Sequence, residues 1–110
     1  MKKIYYLSTC DTCRRLMKQL PIAHDVVLQD VKKQPITELE LEELRFYADS
    51  YEQLFNKRAQ LYKERKLKDQ SLSETDYKNF ILEHYTFLKR PIVVTEKRLY
   101  IADEVKELIG

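Results

Sequence analysis

Apolar residues near the N-terminus occur in short runs whose spacing changes along the chain. Residues 3–7 (KIYYL) form a β-branched and aromatic run that is typical of a buried strand. Residues 12–20 then place apolar side chains at helical spacing among charged ones, and Pro21 ends this predicted helix. Residues 24–28 (HDVVL) predict a second strand. Because a helix connects the two strands, they should lie parallel.

The middle of the chain is predicted to be helical. Thr37 and Glu40 form a capping box, which marks the start of an amphipathic helix. Residues 51–67 have apolar side chains at nearly helical spacing and predict one or two short helices. Ser73, with an acidic residue three positions later, marks the start of another helix. The sequence therefore predicts a helical insertion over about residues 37–86.

The C-terminal part of the chain returns to strand patterns. Residues 90–95 (RPIVVT) predict a strand that begins at a proline, where the missing N–H does least harm to the sheet. A two-residue turn leads into residues 98–101 (RLYI), a further predicted strand, and residues 103–109 predict a short amphipathic helix. The element order is thus βαβ, the helical insertion and ββα, which predicts a single α/β domain over residues 1–110.

Composition and charge narrow the functional classes. The chain has 110 residues, of which only Gly110 is glycine, so it lacks the Gly-rich loops that hold nucleotide phosphates. The formal net charge is +2, and the basic run over residues 57–68 is typical of a solvated helix surface, so no nucleic-acid binding is predicted. We find no apolar segment long enough for a secretory signal or a membrane span, which indicates a cytoplasmic protein without a membrane partner.

Cys10 and Cys13 lie where the first predicted strand turns into a helix. Cytoplasmic thiols are kept reduced, so this pair indicates redox catalysis or metal binding rather than a structural disulfide. The amides of a helix N-terminus favour a thiolate, and Arg14 and Arg15 add positive charge to the first turn. Cys10 is therefore the candidate nucleophile, and Cys13 is placed to resolve a mixed disulfide formed on Cys10.

Two other interpretations of the cysteine pair remain. A zinc site needs four ligands, and besides the two thiols the chain offers only His24 and His84, at irregular spacing, so no metal site is predicted. In the other interpretation both cysteines are inert core residues, since free cysteine is often buried.

Four segments together resemble, in order and spacing, the arsenate reductase-like family that includes ArsC, Spx and the YffB-type proteins. They are residues 10–14 (CDTCR), 54–62 (LFNKRAQLY), 88–94 (LKRPIVV) and 97–99 (KRL). The resemblance covers essentially the whole chain. It implies a thioredoxin-like fold with a mixed four-stranded sheet and a helical insertion. It also implies a cis peptide bond before Pro91, which faces the nucleophilic thiol.

The same resemblance implies roles for individual side chains. Cys10 matches the family nucleophile, and Arg90 and Arg98 match arginines that bind the oxyanion in arsenate reductases. Arg14 and Arg58 are further candidates for stabilising the anion. A guanidinium suits this role because it offers planar, paired hydrogen bonds to a tetrahedral oxyanion.

The chain also departs from the arsenate reductase pattern. Those enzymes usually have histidine, proline and arginine where this chain has Tyr6, Ser8 and Asn56. The glutathione- and glutaredoxin-coupled ones commonly have serine in place of Cys13. An arginine at the position of Arg58 resembles the YffB and Spx branches.

Three functions fit these residues. The first is a cytoplasmic thiol oxidoreductase without a bound cofactor, in which Cys10 attacks a small oxyanion or a thiol or disulfide substrate. Cys13, glutathione, glutaredoxin or thioredoxin then completes the cycle. The second is a redox-sensing transcriptional regulator that, like Spx, binds RNA polymerase without turnover, although this chain lacks the glycine that the Spx branch uses for its polymerase contact. The third is a binding domain with a vestigial thiol site.

Overall fold

A computed structural model describes residues 1–109 of the chain. The chain forms two compact units. One unit comprises Met1–Gln34 and Arg90–Gly110, and the other comprises Pro35–Lys89. The second unit coincides closely with the predicted helical insertion. The organisation of both units as one domain stays a prediction.

Within residues 1–109, the first unit contains the predicted mixed sheet of four strands. The strands lie in the spatial order β2-β1-β3-β4 and are β1 (Lys3–Tyr6), β2 (Val27–Asp30), β3 (Ile92–Val94) and β4 (Leu99–Ile101). β1 is parallel to β2 and antiparallel to β3, and β3 is antiparallel to β4. The parallel pairing predicted from the helical crossover is therefore confirmed.

The second strand is displaced from its predicted position. The pattern predicted a strand over residues 24–28, whereas β2 begins three residues later. The preceding residues instead form a turn, in which the Val26 N–H donates to the Ala23 carbonyl (3.1 Å). The prediction was also wrong at the other end. It ended the strand at Leu28, whereas β2 continues through the polar residues Gln29 and Asp30.

Those polar residues of β2 are buried, although β2 is an edge strand whose two apolar side chains are exposed. Burial of a polar group costs free energy unless the group is hydrogen-bonded. The Gln29 amide donates to the Gln34 carbonyl (3.0 Å), and the Asp30 carboxylate accepts from the Lys32 N–H (3.1 Å). These local partners offset part of the cost of burying the two residues.

The helix that follows β1 is α1, Asp11–Gln19. Cys10 immediately precedes its first turn, and Leu20 leaves the helix with an extended backbone just before Pro21. Apolar residues at the end of α1 join a core that includes β1, β3 and the C-terminal segment. The buried residues of this core are Ile4, Leu20, Val26, Val93 and Val105.

The C-terminal helix is a 3₁₀ helix, Ala102–Leu108. It begins where the Ile101 N–H donates to the Glu104 carboxylate (2.9 Å). The Ala102 N–H donates to the Pro91 carbonyl (2.8 Å), so this segment helps to fix the start of β3.

The second unit is helical, as predicted. Its α-helices are α2 (Glu38–Tyr47), α3 (Tyr51–Leu54), α4 (Gln60–Glu64) and α5 (Glu74–Glu83). The hydroxyls of Thr37 and Ser73 cap α2 and α5 in the predicted manner. The unit packs around Phe55, which stacks on Phe87 with ring centres 5.3 Å apart. Among residues 1–109, no helix is long and apolar enough to cross a membrane.

The basic run over residues 57–68 lies on the surface of the second unit, where most of its side chains are exposed. Acidic side chains neutralise part of it. Lys57 pairs with Glu52 (2.5 Å), and Arg65 pairs with Glu83 (2.5 Å). The run is therefore a solvated surface whose positive charge is partly compensated within the unit.

Replacement of Thr37 tests the cap of α2. Thr37→Ala removes the hydroxyl that accepts from the Glu40 N–H (3.1 Å), so the free energy of unfolding measured in urea should fall by about 1 kcal/mol. Thr75→Ala is the matched control, because Thr75 is an exposed residue inside α5 and alanine is the better helix former. An equal loss of stability in both variants would contradict the capping role.

Candidate thiol site

A tight turn connects β1 to α1 and places the first cysteine. The Cys10 N–H donates to the Leu7 carbonyl (3.1 Å), and the Cys10 carbonyl accepts from the Arg14 N–H (3.0 Å). Cys10 therefore occupies the N-cap position of α1, where its side chain is partly exposed. Cys13 lies in the first turn of α1 and is fully buried. Both thiols are free.

The surroundings of Cys10 favour its thiolate form. Partial burial by itself would raise the pKa of Cys10, but other interactions outweigh it and lower that pKa below its ordinary value. The backbone N–H and the S–H of Cys13 donate hydrogen bonds to the Cys10 sulfur, and the Arg90 guanidinium adds a positive charge and a further hydrogen bond. Cys10 is thus the more acidic thiol of the pair.

The surroundings of Cys13 have the opposite effect. Burial raises the pKa of Cys13 to about 12, despite a hydrogen bond from the Leu7 backbone, and the negative charge of Cys10 contributes to the increase. Arg90 opposes this increase only in part. As the pH rises, Cys10 therefore loses its proton before Cys13 does.

Arg90 and Pro91 enter the site from the other end of the chain, directly before β3. The peptide bond between them is cis, which is the isomer that the family resemblance implies. Pro91 is fully buried, and the Ala102 N–H donates to its carbonyl (2.8 Å). This anchoring fixes the backbone next to Arg90, whose side chain interacts with Cys10.

Two of the predicted anion-binding arginines have other partners. The Arg14 guanidinium lies 2.6 Å from the Asp11 carboxylate on the exposed side of α1. The Arg98 guanidinium lies over the Tyr100 ring, 4.2 Å from its centre, and 3.5 Å from the Glu104 carboxylate. The part of Arg14 and Arg98 in anion binding stays a prediction.

Arg58 belongs to the second unit, where its side chain is exposed. The Arg58 N–H donates to the Asn56 side chain (3.0 Å), and the Asn56 amide donates to the Thr86 carbonyl (3.1 Å). Asn56 thus organises the backbone before Arg58. The predicted role of Arg58 toward an anion also stays a prediction.

Asp30 is a residue near the site that sequence analysis missed. It lies at the end of β2, opposite Tyr6 of β1, and only 8% of its surface is exposed. Burial by itself would raise the pKa of the Asp30 carboxyl, but interactions with Ser8 and the Lys32 N–H outweigh this effect and lower that pKa. Because Ser8 belongs to the turn before Cys10, the Asp30 carboxylate supports that turn. The signal in the sequence that could have indicated Asp30 is an acidic residue shortly after the apolar run of residues 26–28.

The site therefore holds a partly exposed thiol of lowered pKa beside a buried thiol of raised pKa. A lowered pKa favours the thiolate, which is the nucleophilic form, and the second thiol is close enough to donate a hydrogen bond to it. Within residues 1–109, no group of three histidine, cysteine or acidic side chains is arranged to hold a metal ion. The arrangement suits attack on an electrophilic sulfur or on an oxyanion, followed by thiol exchange.

Comparison with known protein families places this site in a family. The model of the ArsC family matches residues 5–108. The chain belongs to the ArsC family. This match spans the turn that holds Cys10, the helical unit and the Arg90–Pro91 segment, so the family pattern covers both units.

The proteins that this chain resembles include a regulator and an enzyme. The global transcriptional regulator Spx of Bacillus subtilis (strain 168) is 26% identical over 115 residues, which cover 99% of this chain and 87% of Spx. A solved structure described as an ArsC family related protein from Bacteroides fragilis has a TM-score of 0.80 at 24% identity and covers 98% of each chain. The arsenate reductase from Vibrio cholerae has a TM-score of 0.75 at 22% identity, covering 97% of this chain and 95% of that one. These structures confirm the predicted thioredoxin-like α/β fold.

The pH dependence of Cys10 alkylation tests the electrostatics of the site. Arg90→Ala removes a positive charge and a hydrogen-bond donor from the thiolate, so the pKa of Cys10 should rise and alkylation at neutral pH should slow. Arg90→Lys retains the charge and should raise that pKa less. Rates of Cys10 alkylation as a function of pH, with the modified residue identified by mass spectrometry, provide the measurement.

Arg98→Ala is the control for this experiment, because Arg98 pairs with Glu104. It should leave the pKa of Cys10 unchanged. The electrostatic account is contradicted if Arg90→Ala and wild type show the same pH profile.

Proposed function

We propose that this member of the ArsC family is a cytoplasmic thiol oxidoreductase in which Cys10 is the nucleophile and Cys13 the resolving thiol. The opposite pKa shifts of the two thiols, one partly exposed and one buried, carry the proposal. A pure core role for both cysteines would not call for a partly exposed Cys10 of lowered pKa. The substrate class is a small oxyanion or a thiol or disulfide compound.

With a disulfide substrate, each step is thiol–disulfide exchange. The Cys10 thiolate attacks one sulfur, forms a mixed disulfide and releases the other half of the substrate as a thiolate, which takes a proton from water. Cys13 then loses its proton and attacks the Cys10 sulfur, which forms the Cys10–Cys13 disulfide and releases the second half. The protein dithiol is oxidised by two electrons, and the substrate is reduced to two thiols.

Formation of the mixed disulfide on Cys10 makes the later attack by Cys13 easier. While Cys10 is a thiolate, its negative charge contributes to the raised pKa of Cys13. Once Cys10 is part of a mixed disulfide, that charge is gone and the contribution disappears. The buried thiol therefore becomes easier to ionise when its attack is required.

Arg90 serves both an anionic nucleophile and an anionic substrate in this proposal. Its guanidinium stabilises the Cys10 thiolate and has the planar donor geometry that suits a tetrahedral oxyanion. With an oxyanion such as arsenate, Cys10 would form a bond to the central atom with loss of water. Attack by Cys13 or glutathione on the Cys10 sulfur would leave the bonding electron pair on the central atom, which is thereby reduced. Glutathione or a glutaredoxin- or thioredoxin-type protein is the proposed external reductant.

A second candidate function is redox-dependent transcriptional regulation. The similarity to Spx favours it, and so does an exposed apolar strip on α2. There Leu39 is 67% exposed and Phe46 82% exposed, seven residues apart on one face of the helix. In this function the Cys10–Cys13 pair would switch between dithiol and disulfide, and RNA polymerase would be the partner.

Mass spectrometry combined with turnover measurements tests the proposed enzyme. With glutathione disulfide, wild type should form the Cys10–Cys13 disulfide, whereas Cys13→Ser should accumulate one glutathione on Cys10. Cys10→Ser should take up none, because the buried and protonated Cys13 does not attack. With excess reductant, wild type should turn over arsenate or a disulfide substrate many times, and arsenate should protect Cys10 from alkylation.

Two results would decide against the enzyme. Glutathione uptake by Cys10→Ser equal to that of wild type would contradict Cys10 as the nucleophile. Formation of the Cys10–Cys13 disulfide without turnover of any oxyanion or disulfide would instead favour the regulator.

A further inference from the structure

Asp30 is a buried carboxylate that the proposed chemistry does not use. It lies at the end of β2, and only 8% of its surface is exposed. Its Oδ1 atom accepts from the Lys32 N–H (3.1 Å), whereas its Oδ2 atom is buried and accepts no complete hydrogen bond from residues 1–109. Burial of an incompletely bonded carboxylate costs free energy. A gain in stability therefore does not explain this residue, and we looked for its role in the neighbouring site.

The backbone around Asp30 places it beside the turn that carries Cys10. Asp30 lies opposite Tyr6 in the parallel pairing of β2 with β1, and the Val31 N–H donates to the Tyr6 carbonyl (2.9 Å). Ser8 follows two residues after Tyr6, and both its hydroxyl and its backbone N–H interact with the Asp30 carboxylate. Asp30 therefore contacts the segment between β1 and Cys10.

A second turn holds Asp30 itself in place. The Gln34 N–H donates to the Asp30 carbonyl (2.8 Å), and the Lys32 N–H donates to the side chain of the same residue. The backbone and the side chain of Asp30 are thus both fixed by the chain that follows β2. A carboxylate held in this way provides a rigid support for the two Ser8 donors.

We propose that Asp30 is a positioning residue for Cys10, which it holds at the start of α1 by fixing Ser8 in the preceding turn. The inference rests on the proposed role of Cys10 as nucleophile and adds a residue on which that role depends. Asp30 itself takes no part in bond making.

The position of the turn matters because the stabilisation of the Cys10 thiolate depends on direction. The Cys10 sulfur accepts from the backbone N–H of Cys13, and the Cys10 carbonyl accepts from the Arg14 N–H (3.0 Å). Hydrogen bonds weaken steeply as their angles depart from linearity. A turn in which Ser8 is no longer fixed would therefore leave the Cys10 sulfur less well aligned with its donors.

A supporting role and a purely electrostatic role of Asp30 predict opposite changes in the pKa of Cys10. A carboxylate that acted only through its negative charge would raise the pKa of a nearby thiol, so removal of that charge would lower the pKa of Cys10. Removal of a support weakens the hydrogen bonds to the thiolate and raises that pKa. The sign of the change thus separates the two roles.

Rates of Cys10 alkylation as a function of pH, measured in Asp30 and Ser8 variants, test the proposal. Asp30→Ala should raise the pKa of Cys10 and slow alkylation below that pKa about threefold. Asp30→Asn keeps one acceptor oxygen and should raise the pKa less. Ser8→Ala changes a partly exposed residue and should also raise the pKa of Cys10. Because both residues act through one contact, the double variant should differ little from Asp30→Ala alone.

Val26→Ala is the matched control, because Val26 is a core residue directly before β2, at the opposite end of that strand from Asp30. It should lower the free energy of unfolding measured in urea and leave the pKa of Cys10 unchanged. An equal rise in the pKa of Cys10 in this control would show that lost stability alone has the effect, and would overturn the positioning role.

Two further results would overturn it. One is an unchanged pKa of Cys10 in both Asp30→Ala and Ser8→Ala, and the other is a lowered pKa in Asp30→Ala and Asp30→Asn. If Cys10 of wild type is alkylated no faster at neutral pH than an ordinary thiol and reacts with no disulfide, the proposed oxidoreductase function itself fails, so the two failures are distinct.

Discussion

The hydrogen bonds from Cys13 to the Cys10 sulfur are the interactions on which the candidate site depends. One thiol is buried and keeps its proton, and it uses that proton to stabilise the charge on its partner. Burial therefore has a different effect at each position of the pair. At Cys13 it holds the pKa at about 12, whereas at Cys10 it is only partial and is outweighed by hydrogen bonds and by Arg90. The result is one thiol of lowered pKa, Cys10, beside one that keeps its proton, Cys13.

Distant parts of the first unit maintain this arrangement. The turn after β1 sets Cys10 at the start of α1, and the buried Asp30 at the end of β2 supports that turn through Ser8. The start of β3 brings Arg90 to the same place, although it lies eighty positions later in the chain. The C-terminal 3₁₀ helix anchors the carbonyl of Pro91. A candidate thiol site that contains one short motif thus depends on β1, β2 and the start of β3.

Sequence reasoning identified those features of the fold and the candidate site that depend only on neighbouring residues. Two cysteines at the junction of a strand and a helix, and capping pairs such as Thr37 with Glu40, are visible without tertiary structure. The edges of β2 were misplaced, because the burial of Asp30 depends on partners in the folded unit. The same limit applies to Arg98, whose contacts with Tyr100 and Glu104 arise only when the hairpin and the 3₁₀ helix have formed.

The most direct test of this account is the ultraviolet absorbance of thiolate as a function of pH, below the range in which the eight tyrosines ionise. Wild type should form one thiolate below the ordinary range of cysteine. Cys10→Ser should lose this step, because burial keeps Cys13 protonated. Cys13→Ser should retain it, because the serine hydroxyl still donates to the Cys10 sulfur. Persistence of the low step in Cys10→Ser would contradict the account, since the charge would then reside on Cys13.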